Sequence, residues 1–408
     1  MVAETRGNSV DGTTLGVYVS VPFCRAKCSF CNFASGVASP AAIESYIGQL
    51  CGEIDGAAAT AAGLGAELPR RVDTIYFGGG TPSLLSPAQL ERVFDALRRR
   101  FEIADGAEIT LEAAPGQIAD AALDAAQRLG VNRISLGVQS FIDRESAAVG
   151  RLHTERDCIR EILRLQAAGV AEVGADLIAG LPYQTQESWR HSLEVATSIG
   201  LTHLSVYMLE VDEDSRLGRE VIAGGRRFHA HATPADDLSA ELYEMACVWL
   251  PQHGFAQYEI SNFAAGAAGD ESHQSRHNRK YWRRAPYLGF GLDAHSMLVR
   301  GDGAVRFSNA DELREYDPAR AGLKAIDVGL LEAFEEMLFL GLRMNAGLSI
   351  AELRDAAPRG LFAAVEEAAR ELIRDGLMLE SGGRWQLTLR GRMLSNDVFA
   401  NLLAGVAA

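Results

Sequence analysis

Several things are scarce in this chain, and each scarcity closes off a class of protein. No run of about 18 apolar residues interrupts its 408 residues, so no segment offers a membrane-spanning helix. Positive charge is in deficit. The 39 lysines and arginines face 54 aspartates and glutamates, a net of −15, which argues against a general nucleic-acid binder because phosphate contacts need clustered cations. The opening stretch from Met1 to Asp11 has neither a positively charged start nor an apolar centre and does not read as a secretory signal. Residues 1–14 are expected to form a flexible tail. A disulfide framework is missing too. Three of the six cysteines fall within eight residues, while Cys51, Cys158 and Cys247 stand singly in helical patterns, where they read as small buried hydrophobes. The expected location is the cytoplasm.

What remains is an ordinary globular composition, 48% hydrophobic and 23% charged. The length suits one large α/β domain of up to about 250 residues with a smaller one beside it. Leu15 to Val21 reads as a strand, and an amphipathic helix follows from Pro40 to about Ala62. Strands recur near Val72–Phe77, Glu108–Ala113, Arg133–Gly137, Glu172–Ile178 and His203–Met208, with helical periodicity between them. Six βα units of this kind predict a parallel sheet, and the repetition favours a partial TIM-like (β/α)6 barrel of the α/β class. The unusual polar residues come just after these strands: the cysteines, Gly78 to Pro82, Glu112, Gln139 and Asp176. Barrels carry their chemistry at the C-terminal ends of strands, so these segments should share one rim. From about Asp311 the strands largely stop. Helical runs at Leu330–Arg343, Ser349–Asp355 and Leu361–Asp375, then a Gly382-Gly383 turn and Trp385–Thr388, predict a smaller helical, winged-helix-like domain. The expected organisation is a barrel over 15–230, a barrel-completing segment over 231–310 and a helical domain over 311–408.

The loop after the first strand, Val21-Pro-Phe-Cys24-Arg-Ala-Lys-Cys28-Ser-Phe-Cys31, spaces its cysteines as C-x3-C-x2-C. A structural zinc site wants four ligands, and no nearby His or Cys-x2-Cys pair completes one. Three thiolates on a four-iron cluster leave one iron open to a small molecule. Glycines at 79 and 80, directly after a strand, let the backbone approach a ligand closely, and the turn lacks the Gly-Lys-Ser/Thr ending of a phosphate loop.

With Phe30 before its last cysteine, this spacing is the radical-SAM signature. Tyr18-Val-Ser-Val-Pro-Phe ahead of it, and YFGGGTPS, TLEAAPG, RISLGVQSF and DLIAGLP after it, resemble the HemN/HemW family of coproporphyrinogen oxidase relatives. The resemblance covers Leu15 to about Trp282, and the rest more weakly. It implies a 4Fe-4S cluster on Cys24, Cys28 and Cys31 with S-adenosylmethionine (SAM) on the open iron, and an electron donor to feed it. It also implies SAM contacts from Gly79, Gly80, Thr81, Glu112, Gln139, Arg151 and Asp176, with Tyr18 and Phe30 lining the pocket. One position departs: the family's Glu-Ala-Asn-Pro reads Glu112-Ala113-Ala114-Pro115, which removes an amide beside Glu112.

Within the family the decarboxylating oxidases carry a further cysteine two residues after the third cluster ligand and a longer N-terminal segment. Here Phe33 holds that position, and 23 residues precede Cys24. Both departures favour the heme-chaperone branch, whose partners are heme and apo-hemoproteins. His277-Asn-Arg-Lys-Tyr-Trp282 resembles that branch's HNxxYW motif. It offers an imidazole for iron, aromatic rings for the macrocycle and Arg279, Lys280, Arg283 and Arg284 for propionates. Two other readings of the segment are that it caps the barrel or contacts RNA. At the level of activity the alternatives are an oxygen-independent coproporphyrinogen III oxidase and a HemN-like methyltransferase.

Overall fold

The computed structural model describes residues 14–301, 303–317 and 323–407. The tail expected over 1–14 lies, except for Thr14, outside the described residues. In the first strand, Thr14–Val21 (β1), Leu15, Val17, Val19 and Val21 are wholly buried, while the alternate residues include Tyr18 and Ser20. Period-two alternation thus gives one apolar face to the core and leaves polar residues on the other. Arg71–Gly79 (β2), Glu102–Ala113 (β3), Arg133–Gln139 (β4), Glu172–Ala179 (β5) and His203–Met208 (β6) follow. Each of β1 to β5 pairs with the next in parallel register. These are the six strands of the expected partial barrel. Only β3 begins well before its expected start: Glu102 and Ile103 pair with Arg71 and Val72, and the chain loops out through Gly106 before rejoining the ladder at Glu108. The polar Asp105-Gly106 pair reads as a turn and hides that extension.

Several helices between the strands start on side-chain caps. Ser39 caps Pro40–Gly63 with proline at its first position, and Ser86 and Thr154 form capping boxes with Gln89 and Asp157. Past β6 the order changes. Phe255–Gln257 (β7) and Asn262–Ala265 (β8) extend the sheet antiparallel from β6. Tyr287–Phe290 (β9) returns to lie parallel beside β1, and His295–Arg300 (β10), Gly303–Ser308 (β11) and Lys324–Val328 (β12) continue outward. The twelve-stranded order is β12-β11-β10-β9-β1-β2-β3-β4-β5-β6-β8-β7. Strand β12 carries this sheet past residue 311, where the sequence shows few strand signals.

A second apolar core forms on Phe334, Leu338, Leu353, Val365, Leu372, Trp385 and Leu402. Its helices Leu330–Arg343, Ile350–Ala356 and Leu361–Arg374 pack with a small antiparallel sheet of Leu348–Ser349 (β13), Met378–Ser381 (β14) and Arg384–Leu387 (β15). Gly382 (φ 58°) and Gly383 (φ 71°) turn the β14–β15 hairpin, a geometry glycine adopts without strain. This is the helical, winged-helix-like unit expected. Ion pairs tie it to the barrel side: Arg343 Nη2 to the fully buried Glu259 (3.2 Å), and Arg284 (2.7 Å) and Arg306 (2.8 Å) to Glu336. Among the described residues no helix is long and apolar enough to cross a membrane.

Candidate cluster and cofactor site

The cysteine loop is pinned on every side by backbone hydrogen bonds. Cys24 N–H donates to Gly36 (2.9 Å), Ser29 N–H to Val149 (3.0 Å), Leu217 N–H to the carbonyl of Ser29 (2.8 Å) and Thr81 N–H to that of Phe23 (2.8 Å). Apart from Gly36, in the cysteine loop's own return, these anchors come from segments that follow β2, β4 and β6, which is why sequence-distant residues meet here. Cys28 is buried, and Cys24 and Cys31 are half-buried. Two sulfurs face donors: Arg151 Nη1 lies 3.3 Å from Cys28 Sγ, and Thr81 Oγ1 lies 3.6 Å from Cys24 Sγ. Ser35 Oγ is 3.9 Å from Cys31 Sγ. Burial raises the Cys31 thiol above its usual pKa. Among the described residues no three Cys, His, Asp or Glu side chains converge on a single ion. Three soft thiols with donors aimed at two of them form a donor set that fits an iron–sulfur cluster, whose potential is tuned by such hydrogen bonds.

The glycine turn at the end of β2 follows the same wall. Gly79 has φ 96°, and a Cβ there would stand 2.8 Å from Ser20 Oγ; at Gly80 it would stand 2.7 Å from Phe23 N and Val21 O. The cysteine loop and this turn are therefore in direct backbone contact, which only glycine allows. Beside them Tyr76 donates its hydroxyl to Glu112 Oε1 (2.8 Å). Burial, and then the charge of Asp176, pushes Glu112 up to about 7. Burial likewise raises Asp176, which accepts from Ser135 Oγ at 3.2 Å. Arg151 also donates through Nη2 to the carbonyl of Gly137, and its buried Nε has no partner among the described residues. Gln139 sits at φ 70°, a conformation non-glycine residues seldom adopt and one that marks functional sites.

The structure thus brings Cys24, Cys28, Cys31, Gly79, Gly80, Thr81, Glu112, Gln139, Arg151 and Asp176 to one rim. The residue set suits a ligand with an amine, a carboxylate and ribose hydroxyls: backbone groups on the glycine turn, a guanidinium with an unused N–H, and two carboxylates. Tyr18 stacks on Tyr76 at 6.1 Å and lines a cleft of about 290 Å³ with Ser20, Phe33, Gly79, Tyr281 and Tyr287. Phe30, partly buried, packs against an apolar cluster of Val149, Ile178, Leu181 and Leu217. Tyr76 and Ser135 hold the two carboxylates yet carry no motif signal. Only the polar–apolar alternation of their strands, as in Thr74-Ile75-Tyr76-Phe77, hints that they face inward.

The His277–Trp282 segment has a different fate. It forms the helix Arg276–Trp282, whose first N–H groups, those of Arg276 and His277, both donate to Glu108 at 2.9 Å. His277 is 1% exposed, with Nδ1 2.9 Å from Thr74 Oγ1 and Nε2 2.8 Å from the Tyr281 hydroxyl. Burial, then the charge of Lys280, drives its pKa down to about 3. A neutral imidazole has one donor and one acceptor nitrogen, and both are in use. Arg279 and Arg283 pair with Glu271, Lys280 with Asp73 (2.8 Å) and Arg284 with Glu336. Trp282 packs at 6.0 Å on Tyr258. The nitrogens of His277, expected as a heme ligand, and the cations expected to meet propionates are thus engaged by protein groups here.

Comparison with known proteins agrees with this geometry. Residues 18–196 match the radical SAM superfamily, and residues 330–394 match the HemN C-terminal domain. A heme chaperone HemW of Bacillus subtilis is 33% identical over 392 residues, covering 95% of this chain and 98% of its own. One from Mycobacterium tuberculosis is 32% identical over 399 residues, covering 96% and 95%. Among solved structures, coproporphyrinogen III oxidase (HemN) from Escherichia coli, a radical SAM enzyme, superposes with a TM-score of 0.79 at 25% identity over 97% of this chain and 91% of its own. The chain belongs to the HemW family of the radical SAM superfamily.

Proposed function

We propose that this protein is a heme chaperone that holds one 4Fe-4S cluster on Cys24, Cys28 and Cys31, binds SAM beside it, and passes heme to apo-hemoproteins. The cofactor part of this reading is carried by Arg151, whose guanidinium contacts both Cys28 Sγ and the Gly137 carbonyl and so joins the cysteine loop to the rim where the SAM contacts gather. When bound, the cluster supplies, from an external donor, the electron that cleaves the sulfonium of SAM. The chain's own part is positioning. The backbone of Gly79, Gly80 and Thr81 holds the amino group, Arg151 the carboxylate, and Asp176 and Gln139 the ribose hydroxyls, with Glu112 beside them. All six cysteines are free thiols, which suits a reducing compartment, and we assign the protein to the cytoplasm.

Heme as cargo rests on the full-length relationship to the heme chaperones. The match to HemN keeps oxidative decarboxylation of coproporphyrinogen III as the second reading. Against it stands Phe33, 64% exposed at the position where the oxidases resembled here carry another cysteine. The deciding experiment is anaerobic reconstitution followed by iron and sulfide analysis, heme titration and a coproporphyrinogen assay with SAM and reductant. About four irons per chain, bound heme and no conversion above a cluster-free control are expected. Conversion to protoporphyrinogen IX would overturn the chaperone reading.

A further inference from the structure

One turn near the cysteine loop holds a backbone conformation that its sequence does not favour. In the Arg226–His231 segment, Phe228 (φ 53°, ψ 27°) and His229 (φ 60°, ψ 23°) are consecutive left-handed residues. Non-glycine residues visit that region singly, and strain of this kind persists where surrounding structure enforces it, commonly at functional sites. Tyr183, which meets the turn, is left-handed as well (φ 70°). The enforcement is visible. Phe228 packs into the apolar cluster of Phe30, Ile178, Leu181 and Leu217, and Tyr183 N–H donates to the carbonyl of Ala232 at 2.8 Å. Arg216 in turn donates to the carbonyl of Lys27, inside the cysteine loop. The turn is therefore held against the wall that carries the cluster ligands.

What the strain presents is chemical. His229 and His231 are both exposed. The Tyr183 oxygen lies 2.9 Å from His229 Nδ1, and the Arg144 guanidinium lies 3.8 Å over the Tyr183 ring. An exposed imidazole held through Nδ1 by a second group keeps Nε2 as its other coordinating atom, the arrangement of metal-ligating histidines. Arg226 is exposed beside it, as is Arg227, which lies 3.9 Å from Glu220 and over the Phe228 ring, and guanidinium pairs well with carboxylates. Met208, Val211 and Ile222, on the segments leading into the turn, leave apolar surface exposed. Outward imidazoles, paired guanidiniums and apolar surface match a flat, apolar iron macrocycle with two carboxylates.

We propose that this turn is the heme-docking site, with His229 Nε2 as iron ligand, His231 as the second imidazole within reach and Arg226 and Arg227 on the propionates; this rests on the heme-carrying reading above. The test is ferric heme titrated into the full-length reconstituted protein and followed by its absorbance, with cluster iron and SAM affinity measured alongside. His229→Gly removes the imidazole while relieving the left-handed strain, so the fold is spared. Tyr183→Phe should weaken heme affinity about tenfold, the lower end for losing a partner that orients a ligand, and His229→Gly more than about a hundredfold. The double variant His229→Gly with His231→Ala should lose the wild-type heme spectrum, with iron content and SAM affinity unchanged. If wild type binds heme and the double variant binds it with equal affinity and the same spectrum, the site is elsewhere and the chaperone reading stands. Absence of heme binding by wild type removes both.

Discussion

Thr74 and His277 are separated by 203 residues in sequence and share a 2.9 Å hydrogen bond inside the barrel. Thr74 is the polar member of an alternating strand, and His277 is the second residue of a short helix whose leading N–H groups point at the Glu108 carboxylate. A negative charge at a helix start is favourable. The histidine is thus part of a built interior: strand hydroxyl, imidazole and Tyr281 hydroxyl follow one another through the barrel.

Removing that imidazole should therefore act on stability. His277→Ala loses two buried hydrogen bonds and opens a cavity, a cost of about 2–4 kcal/mol near neutral pH. The cost should depend on pH with a definite sign. Folded His277 has its pKa pushed down to about 3 from 6.5, so the unfolded chain binds the extra proton between these values. The contribution of the neutral ring is present above about 6.5 and is lost as pH falls toward 3. Urea unfolding at about pH 8 and about pH 5 should show the wild-type advantage shrinking at the lower pH. A gap of equal size at both would contradict the buried, neutral assignment.

The cysteine loop separates ligand from neighbour. Cys28→Ser should cost the protein its cluster, because a hydroxyl is a poor replacement for thiolate on iron. Arg151→Ala keeps all three thiols and should keep most of the iron, while SAM affinity falls about tenfold or more, as expected for a lost charge-assisted hydrogen bond. Iron and sulfide analysis with a SAM titration distinguishes the two. Equal iron loss in both variants would make Arg151 part of the scaffold of the loop.

Glu112 gives a second pH test of opposite sign. Burial and Asp176 raise its pKa from 4.5 to about 7. The folded state therefore binds the extra proton between those values, and stability falls as pH rises through that window. Glu112→Gln keeps an acceptor for the Tyr76 hydroxyl and removes the charge. It should stabilise the SAM-free protein at about pH 8 by on the order of 1–3 kcal/mol and have little effect near about pH 5. Thermal unfolding across that range checks it; destabilisation at the higher pH would mean that the ionised carboxylate is held by donors stronger than Tyr76.

The parallel strands β1 to β5 and their rim were legible because each carries two signals at once, an apolar run and an unusual residue at or after its end, as with Glu112 on β3 and Asp176 on β5. The strands β7 and β8 carry neither. Phe255–Gln257 and Asn262–Ala265 are short, and their pairing depends on where β6 already lies. The chemistry-bearing types at His277 were equally plain, but their partners were not: Thr74, Glu108 and Tyr281 come from three separate elements, and a sequence gives no sign that both imidazole nitrogens are taken. Phe228 and His229 went unread for a related reason, since a left-handed pair of non-glycine residues contradicts local preference and is imposed by packing on Phe30 and Tyr183.

Gly80 offers the sharpest test of how the two rim loops depend on each other. A Cβ there would lie 2.7 Å from Phe23 N and Val21 O and 2.8 Å from Phe23 O, all backbone atoms that cannot swing aside. Gly80→Ala must push the cysteine loop away from β2, and the nearest bonds to break are Thr81 N–H to Phe23 O and Thr81 Oγ1 to Cys24 Sγ. Overpacking of this kind costs about 1–3 kcal/mol, too little to unfold a domain of ordinary stability. The expected outcome is a folded protein that loses iron on gel filtration and binds SAM weakly. Gly106→Ala is the control: its φ of 70° disfavours alanine by about 1–2 kcal/mol, yet a Cβ there meets nothing within 4 Å and the position is far from the rim. It should lower the unfolding temperature by a similar amount and keep its iron. If Gly80→Ala retains iron and SAM affinity at the level of Gly106→Ala, the close approach of the loops is not what holds the cysteines in place.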